Sequence, residues 1–343
     1  MFRYNYTGSF ISRLMNVVDI PLQVELQPGI NCGEYHCPYC YGKGQKLNEG
    51  LLSLSDYETL LSDLKSKPQF LALGGIASDP LTYSHFAGLL ELVIGKGFKF
   101  GISTKGHFLN DEIIHVLSNS LNDDCFINFS VDASNNQIYN QMRSVKSGQN
   151  YYDLVRKNIN KLNEECKRKK SKLRIKVSYL LFTINAGEKK IDKFIDDFYK
   201  IVDEIRFSIP QYPNEAQAKG FLDEREIDRI FQILNKYNDD KITILPFNKS
   251  EHDRSFDKCV AQRFNITIDK AGYVYPCPQV TTKNYSQLIL GNIKNESIWN
   301  IWNSQKRHSM FEYNVDTEMK CRVCDRKDEI INIDINKILS SIR

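Results

Sequence analysis

Three cysteines within nine residues place the tightest constraint on this chain: Cys32, Cys37 and Cys40, in the stretch Cys32-Gly33-Glu34-Tyr35-His36-Cys37-Pro38-Tyr39-Cys40. They follow an apolar run over 21–27 that predicts a strand. Gaps of four and two residues let three thiolates grip one face of a compact metal centre, with one coordination position left over. A structural zinc site closes with four protein ligands, whereas an open position is where chemistry occurs. No fourth thiol lies nearby, and His36 is next to Cys37, badly placed to face the same metal. The rest of the chain must either supply a fourth ligand or leave that position to a substrate or cofactor.

Nine cysteines are present in all, and four more are grouped in the last quarter: Cys259, Cys277 and the pair Cys321/Cys324. Cys125 and Cys166 stand alone and read as buried or incidental thiols. A Cys-x-x-Cys pair with two distant partners makes a four-thiolate site that can be fully closed. Spacing alone leaves a zinc ribbon and an iron–sulfur cluster equally open. No segment approaches the ~18 uninterrupted apolar residues of a membrane span, and the N-terminus has no apolar signal region. A cytoplasmic protein is expected, and in a reducing compartment clustered thiols read as metal ligands rather than disulfides. Net charge of +4 over 343 residues gives no case for nucleic acid or an anionic membrane as partner.

From the first cysteines to about residue 247, β-rich runs alternate with stretches of 3.6-residue apolar spacing. Strands are expected over 69–73, 98–103, 126–131, 173–182 and 204–209, and helices over 55–64, 83–94, 111–117, 151–162 and 190–201. With the strand before Cys32 this makes six β/α units, the pattern of a parallel sheet with helices outside. The expected class is α/β: a partial (β/α)6 TIM-like barrel followed by a small C-terminal α+β cluster domain. In such barrels the site lies at the C-terminal ends of the strands. There the chain places the cysteine loop, then Gly74-Gly75-Ile76-Ala77-Ser78-Asp79-Pro80, Ser103-Thr104-Lys105-Gly106 and Ser130-Val131-Asp132. Glycine pairs allow backbone to approach a ligand closely, although a turn is an equally good reading of Gly-Gly after a strand.

The tail differs in character. Residues 265–269 and 273–276 read as a hairpin with Gly272 at a position needing positive φ. Cys277 closes it, a helix is expected over 297–305 with both tryptophans, and Cys321-Arg322-Val323-Cys324 follows. One basic run, 167–176, carries seven Lys/Arg. A nucleic-acid patch is one reading. Its place at a helix end leading into a strand favours a solvated loop whose cations complement the helix dipole.

Together these features resemble the radical S-adenosylmethionine (radical SAM) superfamily, in its SPASM/twitch subgroup with one auxiliary iron–sulfur cluster. The resemblance runs from about Pro21 to Cys324. Cys37-Pro38-Tyr39-Cys40 fits the family signature fully, while the first gap, four residues against the usual three, departs from it. The family's Gly-Gly-Glu-Pro is similar to Gly74-Gly75…Asp79-Pro80, and its Ser-Thr-Asn-Gly to Ser103-Thr104-Lys105-Gly106. Ser130-Val131-Asp132-Ala133 and the later Arg143 resemble the fourth strand and the Arg-containing segment. Cys259, twelve residues to Gly272, four to Cys277, then Gly291-Asn292-Ile293, Ile298-Trp299 and Cys321/Cys324 follow the subgroup's tail. No cysteines lie beyond the final pair, as in the shorter twitch form.

The resemblance implies two [4Fe–4S] clusters, ligated by Cys32, Cys37 and Cys40 and by Cys259, Cys277, Cys321 and Cys324. It implies S-adenosylmethionine bound by Tyr39, Gly74, Gly75, Asp79, Ser103, Ser130 and Arg143, with Tyr39 near the adenine, Asp79 at the amino end, Ser130 near the ribose and Arg143 near the carboxylate. The implied reaction is reductive cleavage to a 5′-deoxyadenosyl radical that abstracts hydrogen from a substrate, with electrons from an external donor such as flavodoxin or ferredoxin. The catalytic residues are not specified by the resemblance. Candidate substrate contacts are Lys105, His107, Glu188, Gln211 and Tyr212. About twenty residues precede the first strand, too few for a leader-binding module, which favours a small molecule such as a sugar or aminocyclitol over a peptide. The expected layout is an N-terminal extension over 1–20, a core barrel over 21–247 and a twitch/SPASM-like domain over 248–343. The rival from another class is a zinc-binding scaffold without catalysis.

Overall fold

The computed structural model describes residues 20–65, 70–210, 220–237, 239–245, 255–321 and 324–342. Most of the N-terminal extension, Gln211, Tyr212 and the 247/248 domain boundary lie outside the described residues. The chain alternates β1 (Gln23–Gln27), α1 (Leu54–Leu64), β2 (Phe70–Leu73), α2 (Phe86–Gly95), β3 (Phe100–Thr104), α3 (Asp111–Leu117) and β4 (Phe126–Ser130). Then come α4 (Asn136–Arg143), α5 (Tyr151–Lys169), β5 (Arg174–Leu180), α6 (Glu188–Phe198), β6 (Glu204–Ser208), α7 (Glu224–Leu234) and β7 (Ile242–Ile244). The tail adds β8 (Asn265–Asp269), β9 (Tyr273–Tyr275), β10 (Gly291–Asn292), α8 (Ile298–Trp302), α9 (Gln305–Met310) and α10 (Arg326–Ile342).

All these strands belong to one sheet in the order β10-β9-β8-β1-β2-β3-β4-β5-β6-β7. Strands β1 to β7 pair in parallel with their sequence neighbours, so the expected alternation holds, and β7 adds a seventh strand to the six expected. Three residues are too short a run to stand out by periodicity. The tail hairpin also joins this sheet, with β8 parallel to β1 and antiparallel to β9. The expected 297–305 helix is two helices. Asn303 ends α8, and Ser304, accepting from the Arg307 amide, caps α9. Helices α4, α7 and α10 were not expected. Helix α7 had a legible start, since Asp223 and Glu226 form a capping box before Ile227, Ile230, Ile233 and Leu234.

The period-2 alternation of each strand sorts the side chains onto two faces. Leu26, Leu73, Ile102, Ile127 and Ile175 occupy one continuous register row and bury against the helices. The opposite face is polar, with Ser103, Asn128, Lys176 and Glu204 in one row and Ser130, Ser178, Arg206 and Thr243 in the next. A buried Lys176–Glu204 ion pair at 2.7 Å crosses that face. The basic run is therefore not all loop. Lys167, Arg168 and Lys169 close α5, whereas Lys176 turns inward on β5.

Phe70 and Phe126 stack at 5.8 Å on the polar face, and Lys176 Nζ lies 4.7 Å above the Phe126 ring. Gly101 makes this plug possible, because a Cβ there would lie 2.4 Å from Phe126 and 2.8 Å from Phe70. Gly101→Ala is expected to destabilise the chain by about 1–3 kcal/mol, the cost of overpacking a filled core. Urea denaturation reads this directly, and an unchanged midpoint would show that the two rings are free to move aside.

Candidate functional site

The cysteine loop leaves β1 at the C-terminal edge of the sheet and is pinned on both sides. Asp79 N donates to Asn31 O at 2.7 Å, and Ile30 N donates to Thr82 Oγ1 at 2.9 Å. A Cβ on Gly42 would lie 2.3 Å from Ala77 N, so the segment after Cys40 runs directly over the turn that follows β2. Cys40 N donates to Cys37 O at 3.1 Å and Gly42 N donates to Cys40 Sγ at 3.3 Å, winding the Cys37–Cys40 half tightly.

The longer first gap has a structural use. Gly33 adopts φ +64°, a conformation open to glycine but strained for most residues. The turn carries Tyr35 inward, where it is 5 % exposed. Its hydroxyl lies 3.2 Å from that of Tyr139, and its ring packs 4.2 Å from His107 and 5.3 Å from Tyr151. The next amide, His36 N, donates to Arg143 O at 2.8 Å. The four-residue gap thus gives the loop an aromatic anchor.

Behind the loop lies a buried polar hub that joins Tyr39, Ser130, Asp132 and Arg143, all named from the sequence, to Asn185, which was not. Asp132, at φ +53°, accepts from Arg143 Nη2 at 3.1 Å, from Leu180 N at 2.8 Å and from Tyr39 Oη at 3.4 Å. Burial pushes its carboxyl above the ordinary value although Arg143 pulls it down. Arg143 also donates to Ser130 O at 2.6 Å and lies 4.0 Å over the Tyr139 ring, while its Nε and Nη1 have no hydrogen-bond partner. Asn185 Nδ2 donates to Asp132 O and Leu180 O, both at 2.8 Å. Tyr39 packs 4.7 Å from Phe182. Asn185 is an ordinary residue type with no spacing signal, so only the fold reveals it, and only the fold shows that Asp132 faces Arg143.

The other sequence-derived residues are distributed as follows. Gly74 N donates to Leu26 O at 3.1 Å, and a Cβ on Gly75 would lie 2.5 Å from Ser78 Oγ, so the glycine pair forms a tight turn at the strand end. Asp79 is fully buried, and its carboxylate accepts from Thr104 Oγ1 at 2.8 and 2.9 Å, Lys105 N at 2.8 Å and Leu81 N at 3.1 Å. It ties the β2 and β3 loops together with both oxygens engaged. Ser103 is exposed and Ser130 half-buried on the polar face. Lys105 Nζ lies 3.7 Å from Cys32 Sγ. His107 packs against Phe108 at 3.7 Å, and burial lowers its pKa to about 4, which keeps the ring neutral. Glu188 begins α6 and pairs with Lys236 on the surface, a solvent role. On the helical side of the loop lies a groove of about 390 Å³ lined by Ile30, Asn31, Phe108 and Glu112.

The second site forms where β9 ends. Cys259, Cys277, Cys321 and Cys324 line one cavity with Asp328 and Asn332 of α10. Gln279 N donates to Cys277 Sγ at 3.4 Å. Burial raises Cys259 to about 11 and holds Cys277 and Cys324 well above their ordinary value. In the loop, burial likewise raises Cys32 to about 11, against the Lys105 charge. Such thiols ligate metal as thiolates, so loading the sites releases protons. Soft sulfur donors in sets of three and four fit iron–sulfur clusters. Among the described residues, no three His, Cys, Asp or Glu side chains converge at the spacing that holds a single ion. The two sites share one framework. Thr281 Oγ1 donates to Gln27 Oε1 at 2.6 Å, Gln27 Nε2 donates to Pro278 O at 3.2 Å, and Asn48 Nδ2 donates to Asp269 Oδ2 at 2.6 Å.

Residues 259–325 match the family model of the SPASM iron–sulfur cluster-binding domain. No curated protein sequence matches the chain. In structure the chain resembles Streptococcus suis SuiB bound to the precursor peptide SuiA, with 16% identity, a TM-score of 0.65, and 89% of this chain and 70% of that one covered. SuiB bound to S-adenosylmethionine gives 16% identity and a TM-score of 0.63, covering 87% of this chain and 68% of that one. Native anSMEcpe with bound AdoMet gives 16% identity and a TM-score of 0.60, covering 94% and 100%. The fold is that of these solved structures, a mostly parallel sheet flanked by helices. Among the described residues no helix is long and apolar enough to cross a membrane.

Proposed function

We propose that the chain is a radical SAM enzyme in which Cys32, Cys37 and Cys40 hold a catalytic [4Fe–4S] cluster with one iron open to S-adenosylmethionine. Cys259, Cys277, Cys321 and Cys324 hold one closed auxiliary [4Fe–4S] cluster. The observation that carries this reading is the pairing of an open three-thiol loop at the strand ends with a four-thiol cavity built on the same sheet. When bound, the loop cluster and S-adenosylmethionine supply reductive cleavage of the sulfonium and a 5′-deoxyadenosyl radical that removes hydrogen from the substrate.

The chain's own residues supply position. The Gly74-Gly75 turn brings backbone close to the cofactor's place, Ser103 and Ser130 present hydroxyls from β3 and β4, and Tyr39 offers a ring for the adenine. Arg143 has two unpartnered guanidinium nitrogens, Nε and Nη1, for a carboxylate. Asp79, with both oxygens engaged by Thr104 and Lys105, acts through the β3 loop it holds. A closed cluster held by Cys259, Cys277, Cys321 and Cys324 would supply electron transfer to or from the substrate or the loop cluster, and a donor such as flavodoxin or ferredoxin would supply the reducing electron.

The polar inner wall of Ser103, Asn128, Ser130 and Ser178, backed by Lys176–Glu204, supports a polar substrate, and oxidation of a small hydroxylated or amino compound is the leading reading. A peptide substrate is the second reading, favoured by the likeness to SuiB bound to the precursor peptide SuiA. Anaerobic reconstitution tests the proposal. The expected result is a brown protein with about eight iron per chain, two four-iron clusters, that forms 5′-deoxyadenosine under a reductant. A colourless protein with stoichiometric zinc would overturn it. Deuterium transfer into 5′-deoxyadenosine from perdeuterated sugars, but not from peptides, separates the two substrate readings.

A further inference from the structure

We infer that Asn332, on α10, is a positioning residue that orients the Cys259 ligand and raises the reduction potential of the auxiliary cluster. The inference rests on the reading that the tail cysteines hold an iron–sulfur cluster. It concerns a residue outside the matched cluster-binding domain, which ends at 325, whereas α10 begins at Arg326.

Asn332 is fully buried. Its Oδ1 accepts from Val260 N at 2.6 Å and from Ala261 N at 3.0 Å, the two amides that follow Cys259. Its Nδ2 donates to Cys259 Sγ at 3.6 Å. The orientation of this amide is set by its partners, because two backbone N–H groups can be met only by the oxygen, which leaves the NH₂ facing the sulfur. A single side chain therefore shapes the turn that presents the ligand and hydrogen-bonds the ligand itself.

The helix that carries it is docked by an apolar contact of its own. Ile331 and Ile335 bury with Leu22, Val260, Ala261 and Phe264 in a small core separate from the main one. Asn336 Nδ2, one turn on, donates to Lys258 O at 3.4 Å. Asp328, one turn before Asn332 on the same helix face, lines the same cavity. Asn332 is thus held against Cys259 by packing on both flanks of the cysteine, the arrangement expected of a group that fixes a ligand's orientation. Hydrogen bonds to cluster sulfurs are one of the levers that set iron–sulfur potentials, since a donor stabilises the form carrying the additional electron.

The test is an EPR-monitored redox titration of the anaerobically reconstituted full chain. The signal that changes on adding S-adenosylmethionine reports the loop cluster and serves as internal control, and the insensitive signal reports the tail. Asn332→Asp keeps an acceptor for Val260 N and Ala261 N but loses the donor to sulfur. Asn332→Ser removes the carboxamide NH₂ without adding charge, and its hydroxyl is too short to reach the sulfur. Both are expected to lower the tail midpoint potential and leave the loop midpoint unchanged. Asn332→Leu, which removes the acceptor too, is expected to lose tail iron while far-UV circular dichroism stays that of the parent. Tail midpoints unmoved in both polar variants at full iron content would overturn the inference. So would a shift in Asn332→Asp alone, which would mark a charge effect rather than the lost hydrogen bond. A parent chain without tail iron would instead overturn the cluster reading on which it rests.

Discussion

Cys40→Ala is expected to take 5′-deoxyadenosine formation to background and cut iron from about eight to about four per chain, the loss of one four-iron cluster. Only three thiols serve the loop site, and no spare thiol lies beside it: Cys125 and Cys166 are buried elsewhere in the core. The local fold should survive the change, because the loop's main anchors lie elsewhere and the Cys40 side chain holds only the Gly42 amide. Those anchors are Tyr35 among Tyr139, Tyr151 and His107, the His36–Arg143 backbone bond, and the Asn31 and Thr82 contacts. Cys324→Ala separates the two sites. It should also lose about four iron, yet retain at least part of the 5′-deoxyadenosine formation while stopping substrate turnover. Equal loss of cofactor cleavage in both variants would place the auxiliary cluster upstream, on the electron's way in, rather than downstream of the substrate radical.

Asp132→Ala is expected to cost about 3–5 kcal/mol of stability, the effect of removing one partner from a buried ion pair. Its side chain is 2% exposed and that of Arg143 is 1% exposed, so the guanidinium left behind would have little water to replace the lost carboxylate. The same carboxylate also holds Leu180 N and Tyr39 Oη, so the loss reaches the cysteine loop and the β5 end together. Asp132→Asn keeps an acceptor for Leu180 N and should fall clearly short of the alanine variant. Urea denaturation of the anaerobic holoprotein measures both. A loss below about 1 kcal/mol, the worth of an exposed pair, would mean that water reaches Arg143 and that the hub does not bear on the loop.

The alternation of β and α segments was legible because five of the six expected strands bury apolar residues in a regular pattern over five or more positions, and β2 does so over four. Apart from α7, whose capping box and apolar spacing were legible, what escaped was short or polar. Strand β7 has three residues, α4 is framed by asparagines and glutamines, and α10 reads Arg-Lys-Asp-Glu before its first apolar pair. The break between α8 and α9 hangs on Ser304 taking up a cap, which local sequence permits but does not compel.

The sequence by itself determined the number and spacing of the thiols offered as ligands, because a thiol's chemistry belongs to the residue and travels with it into any fold. The hairpin turn at Gly272, at φ +90°, was equally local. Tertiary structure alone decided what surrounds those thiols. It set β8 beside β1, so that Gln27 and Thr281 couple the two sites, gave Asp79 to Thr104 and Lys105, and buried Asp132 under Arg143. It also turned the four-residue gap into the anchor of Tyr35. Each of these depends on partners far away in sequence, and the energy of a buried polar group is set by those partners rather than by its own identity.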